Sequence, residues 1–344
     1  MSRVRIAVVG AGNWGRNHVR TVATLPEATL AAVCDLDPAR LEAVKRLYPS
    51  ARATTVLAEA LEVADAVVVA SPAGAHAAAA TAAIERGLPV LVEKPFALSS
   101  DEAEGVARLA DARGVPVVAG HLLLFHPAIE RLRQMIRGGD LGQLYYLYSQ
   151  RVNLGQVRPD ENALWSFGPH DISVALHLLP DRPVAVAARG HSYLQPGIED
   201  VVFLTLEFAS GVIAHVQMSW LDPHKERRLT VVGSQRMVVF DDMQPREKLK
   251  IFDKGVDRPP EYRSFGESLS VREGDIFVPR IPNVEPLTAE LRHFVAVARG
   301  DEPPRVTAWD GVEVVRILEA ASASLQGDGR ALPISGERPA GRTS

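Results

Sequence analysis

Two patterns of apolar and polar positions divide the chain. Over the first 120 residues, short runs rich in β-branched side chains recur: "RIAVV" (5–9), "LAAVC" (30–34), "AVVVA" (66–70), "PVLVE" (89–93) and "PVVAG" (116–120). Stretches with helical spacing separate them, at 38–48, 75–87 and 100–113. Strands that alternate with helices predict βαβ units and a parallel sheet. The runs are apolar at nearly every position, as expected where helices cover both faces of a sheet.

Past residue 122 the pattern changes. A helix over 127–137 and a long helix over 163–179 bracket the strand-like "LYYLYSQRV". The alternating runs "VAVAARG", "VVFLTLEF", "VIAHVQMSW", "LTVVGS" and "MVVFDD" follow at mostly hairpin-like spacing. They predict a large open, mostly antiparallel sheet with one face free to form a site. Residues 253–286 are rich in Pro, Gly and charge and are expected to form an irregular crossing arm. Helices over 287–299 and 308–326 close the fold, and the tail "GERPAGRTS" is expected to fray.

Composition limits what such a fold does. With 344 residues, 47% hydrophobic and 23% charged, the chain can bury a large core and is expected to divide into two domains. A net charge of −4 argues against a general nucleic-acid or anionic-membrane binder, which needs a concentrated basic surface. The single cysteine, Cys34, excludes an intrachain disulfide and fits a reducing compartment. The N-terminus runs straight into "VRIAVVG", so no signal peptide is expected. The stretch 66–84 is interrupted by Ser71, Pro72 and Gly74 and is otherwise mostly alanine, so it does not read as membrane-spanning. The expected address is the cytoplasm.

The most informative motif is "VVGAGNWGRNH", with Gly10, Gly12 and Gly15 in GxGxxG spacing around Ala11, Asn13 and Trp14. The motif follows a strand and opens a helix, and Asp35 ends the second strand 20 residues after Gly15. That context makes it a dinucleotide fingerprint. Gly10 permits the tight turn, Gly12 lets the backbone reach a pyrophosphate, and Gly15 lets the helix approach the sheet. Asp35 can accept both ribose hydroxyls of NAD and would repel a 2′-phosphate, and Arg40 lies a turn into the next helix, so NAD is expected over NADP. The expected fold is α/β: a Rossmann doubly wound parallel sheet over 1–121, an α+β substrate-binding and oligomerisation domain over 122–335, and a tail over 336–344.

Open parallel sheets bind ligands beyond the carboxyl ends of their strands. Ser71, Pro72, His76, Glu93 and Lys94 are therefore expected to line the cofactor cleft. Lys94 stands out because only six of the 38 basic residues are lysines, at 45, 94, 225, 248, 250 and 254. A lysine can lose its proton near neutral pH when desolvated, whereas an arginine cannot. An exposed strand-end cation is the alternative. His170, beside Gly168 and Pro169 in the long helix, is a candidate acid or base. His121, His126, His177 and His215 lack HExxH or Cys/His spacing, so no metal site is expected, and no GxSxG nucleophile is present. Asp171 reads as a helix N-terminus residue, and Trp165 and Phe167 as core or pocket wall. The polar, turn-rich segment 153–165, with Asn153, Arg158 and Asn162, leads into the His170 helix and suits hydrogen bonds to sugar hydroxyls. Arg151, Arg158, Lys225 and Arg227 are candidates for a substrate diphosphate, with solvated surface charge as the alternative for each.

Together "GAGNWG", the "ASPxxxH" loop, "VLVEKPFAL", "GHLLLFHPAIERL" and "LWSFGPHDI" resemble the Gfo/Idh/MocA family of NAD(P)-dependent sugar oxidoreductases across nearly the whole chain. The resemblance implies that Lys94 reaches the reacting hydroxyl and that the Lys94–Pro95 bond is often cis. It places His170 on the family's acid/base histidine. It also places Ser166 where the family usually has an aspartate, which leaves the proton route open. Further similarity, in "RVNLGxxRxxENxLWSFxPHDIS" and "SWLDPHKERRLTVVGSQRMVVFDD", is to a nucleotide-sugar subgroup that includes UDP-N-acetylglucosamine 3-dehydrogenases. The implied reaction is NAD-dependent oxidation of a secondary sugar hydroxyl, with Trp165 and Ser166 beside the substrate and a homo-oligomer formed through the C-terminal sheet. Two alternatives stay open: a dehydrogenase or ketoreductase for a deoxysugar nucleotide or free polyol, and a catalytically silent NAD-bound sensor. Retention of Lys94 and His170 argues against the sensor.

Overall fold

A computed structural model describes residues 3–257 and 270–336. The first eleven elements are β1 (Val4–Val9), α1 (Gly15–Thr24), β2 (Ala28–Cys34), α2 (Pro38–Leu47), β3 (Arg52–Thr54), α3 (Leu57–Glu62), β4 (Ala66–Val69), α4 (His76–Glu85), β5 (Val90–Glu93), α5 (Ser100–Arg113) and β6 (Val117–Gly120). Their strands form one sheet in the order β3-β2-β1-β4-β5-β6, parallel throughout. All four residues of β4, and all four of β5 and β6, are buried, which is why these runs carry no polar alternation. Strand order reverses at β1, so the carboxyl ends of β1 and β4 flank the switch point where such sheets take ligands.

The chain continues through α6 (Pro127–Arg137), β7 (Leu144–Val152), α7 (Ala163–Leu178), β8 (Pro183–His191), β9 (Val201–Phe208), β10 (Ile213–Ser219), β11 (Glu226–Gly233), β12 (Met237–Asp241), β13 (Leu249–Asp257), β14 (Ser270–Phe277), α8 (Pro286–Arg299), α9 (Ala308–Gln326) and β15 (Leu332–Pro333). The second sheet has the order β14-β13-β12-β11-β7-β10-β9-β8-β15. Within it β7 and β10 run parallel and the other pairs antiparallel.

Contacts group these elements into two compact units. Among the described residues, one comprises 3–125 and 284–316 with Gly336, the other 126–257, 270–283 and 317–335. The chain thus returns to the first unit after the second sheet. There α8 packs on α1 and β1, and its Leu287, Leu291 and Phe294 join the core that holds Ile6 and Val8. That apolar stripe explains the return, because a helix with so wide a buried face needs a sheet to cover. Among the described residues no helix is long and apolar enough to cross a membrane.

The stretch 253–286 is not the irregular arm that its composition predicts. Through Asp257 it continues β13, and Ser270–Phe277 forms β14, paired antiparallel with it. Nearly every position of β14 is exposed. Neither face therefore selects apolar side chains, and the period-two signal of a strand is missing. Pro259 and Pro260 fall within 258–269, and the expected frayed tail over 337–344; both lie outside the described residues. The short β3 and α3 had no periodic signature in the sequence, being three and six residues long.

Candidate active site

In the first unit the glycine loop joins β1 to α1. Gly10 has φ +97°, and a Cβ there would lie 2.6 Å from the carbonyl oxygen of Ala70. A Cβ on Gly15 would lie 2.1 Å from the carbonyl oxygen of Gly10, so the helix starts as close to the strand as a backbone allows. At Gly12 the nearest neighbour would be Arg40 Nη1 at 3.6 Å. This side opens on a cleft of about 520 Å³ whose lining includes Ala11, Asn13, Arg16, Arg40 and Tyr48. Helix α1 has no side-chain cap and no acidic residue in its first turn, which leaves its positive end available to an anion.

Asp35 stands at the end of β2 with its carboxylate buried and fixed. Oδ2 accepts the Ala11 N–H at 2.6 Å and Oδ1 the Asp37 N–H at 2.9 Å. Arg40 spans Asp35 Oδ2 at 3.4 Å and Asp37 Oδ2 at 3.3 Å. Tight turn, close approach, open glycine and fixed acid fit a dinucleotide: the loop for the diphosphate, Asp35 for a ribose.

Two strands from β1, β5 delivers the Glu93–Lys94–Pro95 turn, whose Lys94–Pro95 bond is cis. Glu93 is buried, and Lys94 is half-buried. Glu93 Oε1 accepts from Trp14 Nε1 and from His18 Nε2, the latter at 2.6 Å, while Oε2 accepts the Lys94 N–H at 3.0 Å. Burial pushes this carboxyl up, but the bonds from His18 and Trp14 and the charge of Lys94 outweigh it and hold the acid below the ordinary carboxylate range. His76, buried at the start of α4, places Nδ1 2.8 Å from the Pro95 carbonyl and Nε2 2.8 Å from the Ser71 carbonyl. Ser71 is half-buried and Pro72 exposed. His121, after β6, is pushed down to about 4 by burial and stays neutral at physiological pH.

In the second unit α7 carries the other candidates. Asn162 caps it by accepting the Trp165 N–H at 3.1 Å, and its amide donates to Glu199 at 2.6 Å. Ser166 is buried, Trp165 Nε1 donates to Ser322 Oγ at 3.0 Å, and half-buried His170 lies two turns into the helix after Pro169. Asp171 is therefore mid-helix, contrary to its expected place at the N-terminus. It receives Arg151 of β7 through Nε and, at 3.4 Å, through Nη2. Arg227 of β11 stands directly opposite Arg151. Burial and that neighbouring cation pull the Arg227 guanidinium below its ordinary value, though it remains charged. Asp242 answers it at 3.6 Å and also takes Lys248 at 3.3 Å. Arg158 pairs with Glu161 at 3.1 Å, Lys225 is exposed, and the Asn153 backbone bonds Ser219 at 3.1 Å. Among the described residues no group of three or more His, Cys, Asp or Glu side chains is placed to hold a metal ion.

Residues 4–121 match the pattern of an oxidoreductase family with an NAD-binding Rossmann fold, and 129–239 match the GFO/IDH/MocA C-terminal domain. The chain belongs to the GFO/IDH/MocA family. It is an NAD-dependent oxidoreductase. It is similar, at 29% identity over 94% of this chain and 93% of the relative, to inositol 2-dehydrogenase 2 of Saccharopolyspora erythraea. It is 28% identical, over 93% of this chain and 96% of the relative, to the UDP-N-acetylglucosamine 3-dehydrogenase of Acidithiobacillus ferrooxidans. Among solved structures, GenD2 from gentamicin A biosynthesis, in complex with NAD, superposes with a TM-score of 0.81 at 26% identity, covering 98% of this chain and 97% of that one.

Several residues that shape these sites escaped the sequence reading. His18 reaches Glu93 across 75 positions, and buried Asp200 takes the Trp220 indole and the N–H groups of Tyr193 and Leu194. Burial pushes the Asp200 carboxyl up, yet these donors hold it below its usual range. No local spacing marks such pairs. The one local signal was Glu93, an acid that closes the apolar run "PVLV"; His18, among Arg16, Asn17 and Arg20, and Asp200, after Glu199, carry none.

Proposed function

We propose that this family member oxidises a secondary hydroxyl of a nucleotide sugar, UDP-N-acetylglucosamine or a close relative, at C3 to give the keto sugar. The observation that carries the reading is the Glu93–Lys94–Pro95 turn, which presents a half-buried lysine beside a fully committed buried acid. In this reading His170 takes the hydroxyl proton, and Lys94 polarises the same oxygen and stabilises its developing negative charge. NAD, when bound, supplies the hydride acceptor. Gly10, Gly12, Asn13, Trp14, Gly15, Asp35, Ser71 and Pro72 hold the dinucleotide. Asn153, Arg158, Asn162, Trp165, Ser166 and Lys225 take part in substrate recognition, and Arg151 contributes through its pair with Asp171. The nucleotide serves as a remote handle that positions the reacting carbon.

A second reading, oxidation of a free polyol, draws support from the inositol 2-dehydrogenase relative. NADH formation with UDP-N-acetylglucosamine, other nucleotide sugars, glucose and myo-inositol separates the two. UDP-N-acetylglucosamine is expected to give the highest kcat/KM. Equal turnover of myo-inositol would remove the nucleotide from the reading while keeping the dehydrogenase, and silence with the whole panel would favour the sensor.

The same reading takes the protein to act as a homo-oligomer in the cytoplasm, which the buried, unpaired Cys34 suits. The outer face of the second sheet is the proposed contact. Tyr146 and Tyr148 stack there at 6.3 Å, Ile213 and His215 lie opposite them on β10, and Phe203 stacks on His215 at 6.4 Å.

A further inference from the structure

We propose that Glu93 is a positioning residue that couples occupancy of the glycine loop to the placement of Lys94. The inference rests on the reading above for what Lys94 does, and it adds how the lysine is set. One buried carboxylate gathers three donors from three places: the Trp14 indole in the glycine loop, the His18 ring in the first turns of α1, and the backbone N–H of Lys94 itself. Burying a carboxylate costs several kcal/mol of lost hydration unless its partners are well placed. An apolar residue would serve a strand end better, so a purely architectural role does not account for the acid.

The rest of the turn is clamped. The Pro95 carbonyl lies 2.8 Å from His76 Nδ1, and the other ring nitrogen of that histidine ties to the Ser71 carbonyl at 2.8 Å. Phe96 is buried beneath Gly311, where a Cβ would lie 2.7 Å from the phenyl ring. On the far side a Cβ on Gly120 would lie 3.0 Å from Glu93 Cα. Positions 93, 95 and 96 are thus buried and fixed, and Lys94 is the half-buried member of the turn. Trp14 is 41% exposed although its indole N–H is spent on Glu93. A diphosphate seated on the glycine loop meets Trp14 at its edge, and a shift of the indole moves the carboxylate that holds the Lys94 amide. Coupling of this kind needs only that the ligand favour one arrangement of the loop over another.

The test needs no substrate. ADP carries the diphosphate and adenosine but lacks the nicotinamide half, so it seats on the loop without covering the lysine. Lys94 is acetylated with acetic anhydride and its labelling rate is read by peptide mass spectrometry, with and without saturating ADP, while calorimetry reports ADP binding. In the parent protein ADP is expected to slow Lys94 labelling about fivefold or more. Trp14→Phe keeps the ring and removes the donor, and Glu93→Gln leaves one acceptor oxygen where two served three donors, so in either orientation the link between the loop and the Lys94 N–H is broken. Each variant is brought to ADP saturation by calorimetry, whatever its affinity, and at saturation both are expected to lose the slowing. His18→Gln, which keeps a donor near the position of Nε2, is expected to retain it, and His18→Leu to lose it. If Glu93→Gln does not fold, Trp14→Phe decides. Equal slowing in parent and Trp14→Phe, or no slowing in an ADP-saturated parent, would overturn the coupling. A sugar panel without turnover would instead sink the reading of Lys94 as the reacting lysine and leave the labelling result standing.

Discussion

Lys94 and His170 are where the proposed chemistry is most exposed to test. If Lys94 were only a strand-end cation, Lys94→Arg would be silent, since charge is kept and the chain uses arginine almost everywhere else. The planar guanidinium is bulkier and does not exchange its proton near neutral pH. Lys94→Arg is therefore expected to lose most turnover while NAD affinity stays near parental, a split that steady-state rates and calorimetry measure together. His170→Ala is expected to lower turnover roughly 10²- to 10⁴-fold if the ring is a general base. If both groups act on one oxygen, as the proposed function holds, the double variant should lose less than the product of the single losses. Near-parental turnover in Lys94→Arg would return the lysine to the surface charges. Asp35 poses a separate question about cofactor choice. Its carboxylate is pinned by two backbone N–H groups, so it cannot swing away from a 2′-phosphate, while Arg40 stands within 3.4 Å to welcome one. Asp35→Ala is expected to narrow the preference for NAD over NADP by weakening the first and admitting the second, as titration of each cofactor would show. Equal affinities in the parent would refute the assignment of Asp35 as the discriminating acid.

Among the elements, α8 holds the least expected group. Glu290 is wholly buried, and neither carboxyl oxygen has a hydrogen-bond partner among the described residues. Burial, reinforced by the charge of Glu93, raises its carboxyl well above the ordinary value. The folded protein therefore holds this proton at pH values where the unfolded chain, titrating at about 4.3, has released it. Stability from this group is fully present below that value and is lost as pH rises toward the folded one. Glu290→Gln removes the ionisable group with almost no change in shape, so the variant should gain on the parent as pH climbs from 5 to 8, read by denaturant unfolding at each pH. A variant less stable than the parent at pH 8 would mean that Glu290 is ionised and paired. The sequence pattern around α8 predicted a helix within one residue of its start, because its apolar stripe is strong. It did not predict Glu290, since a buried acid and an exposed one look alike in a string of letters. The glycine loop and Asp35 were legible for the opposite reason: their work is done by backbone geometry over a span of 26 residues, from Gly10 to Asp35, that the sequence displays directly. Glu93 with His18, and Asp200 with Trp220, depend on packing that only the folded chain supplies. Strand β14 was hidden because exposure on both faces erases alternation.

For the molecule as a whole, the second sheet presents a face that a lone chain does not explain. Tyr146, Tyr148, Ile213 and Phe203 lie on neighbouring strands and are between 38% and 46% exposed, a run of large apolar side chains rather than scattered ones. Contiguous patches of this kind on soluble proteins mark contact surfaces, and two matching copies can close such a face by a twofold axis without leaving a new one open. Arg228 answers Asp241 at 3.2 Å, while Glu207, opposite Ile213 in the register, sets an exposed acid beside the apolar run. A biological contact there should bury more than about 1,000 Å² in total. Placing an acid in the centre on both copies brings like charges together in a desolvated seam, so Tyr148→Asp combined with Ile213→Asp is expected to yield monomers in sedimentation or small-angle scattering. Both positions lie on the outer face, so each variant monomer should keep its cooperative unfolding transition and its affinity for NAD. A parent protein that is monomeric at working concentration would reject the contact, and a double variant that keeps the parental mass would move it to another surface.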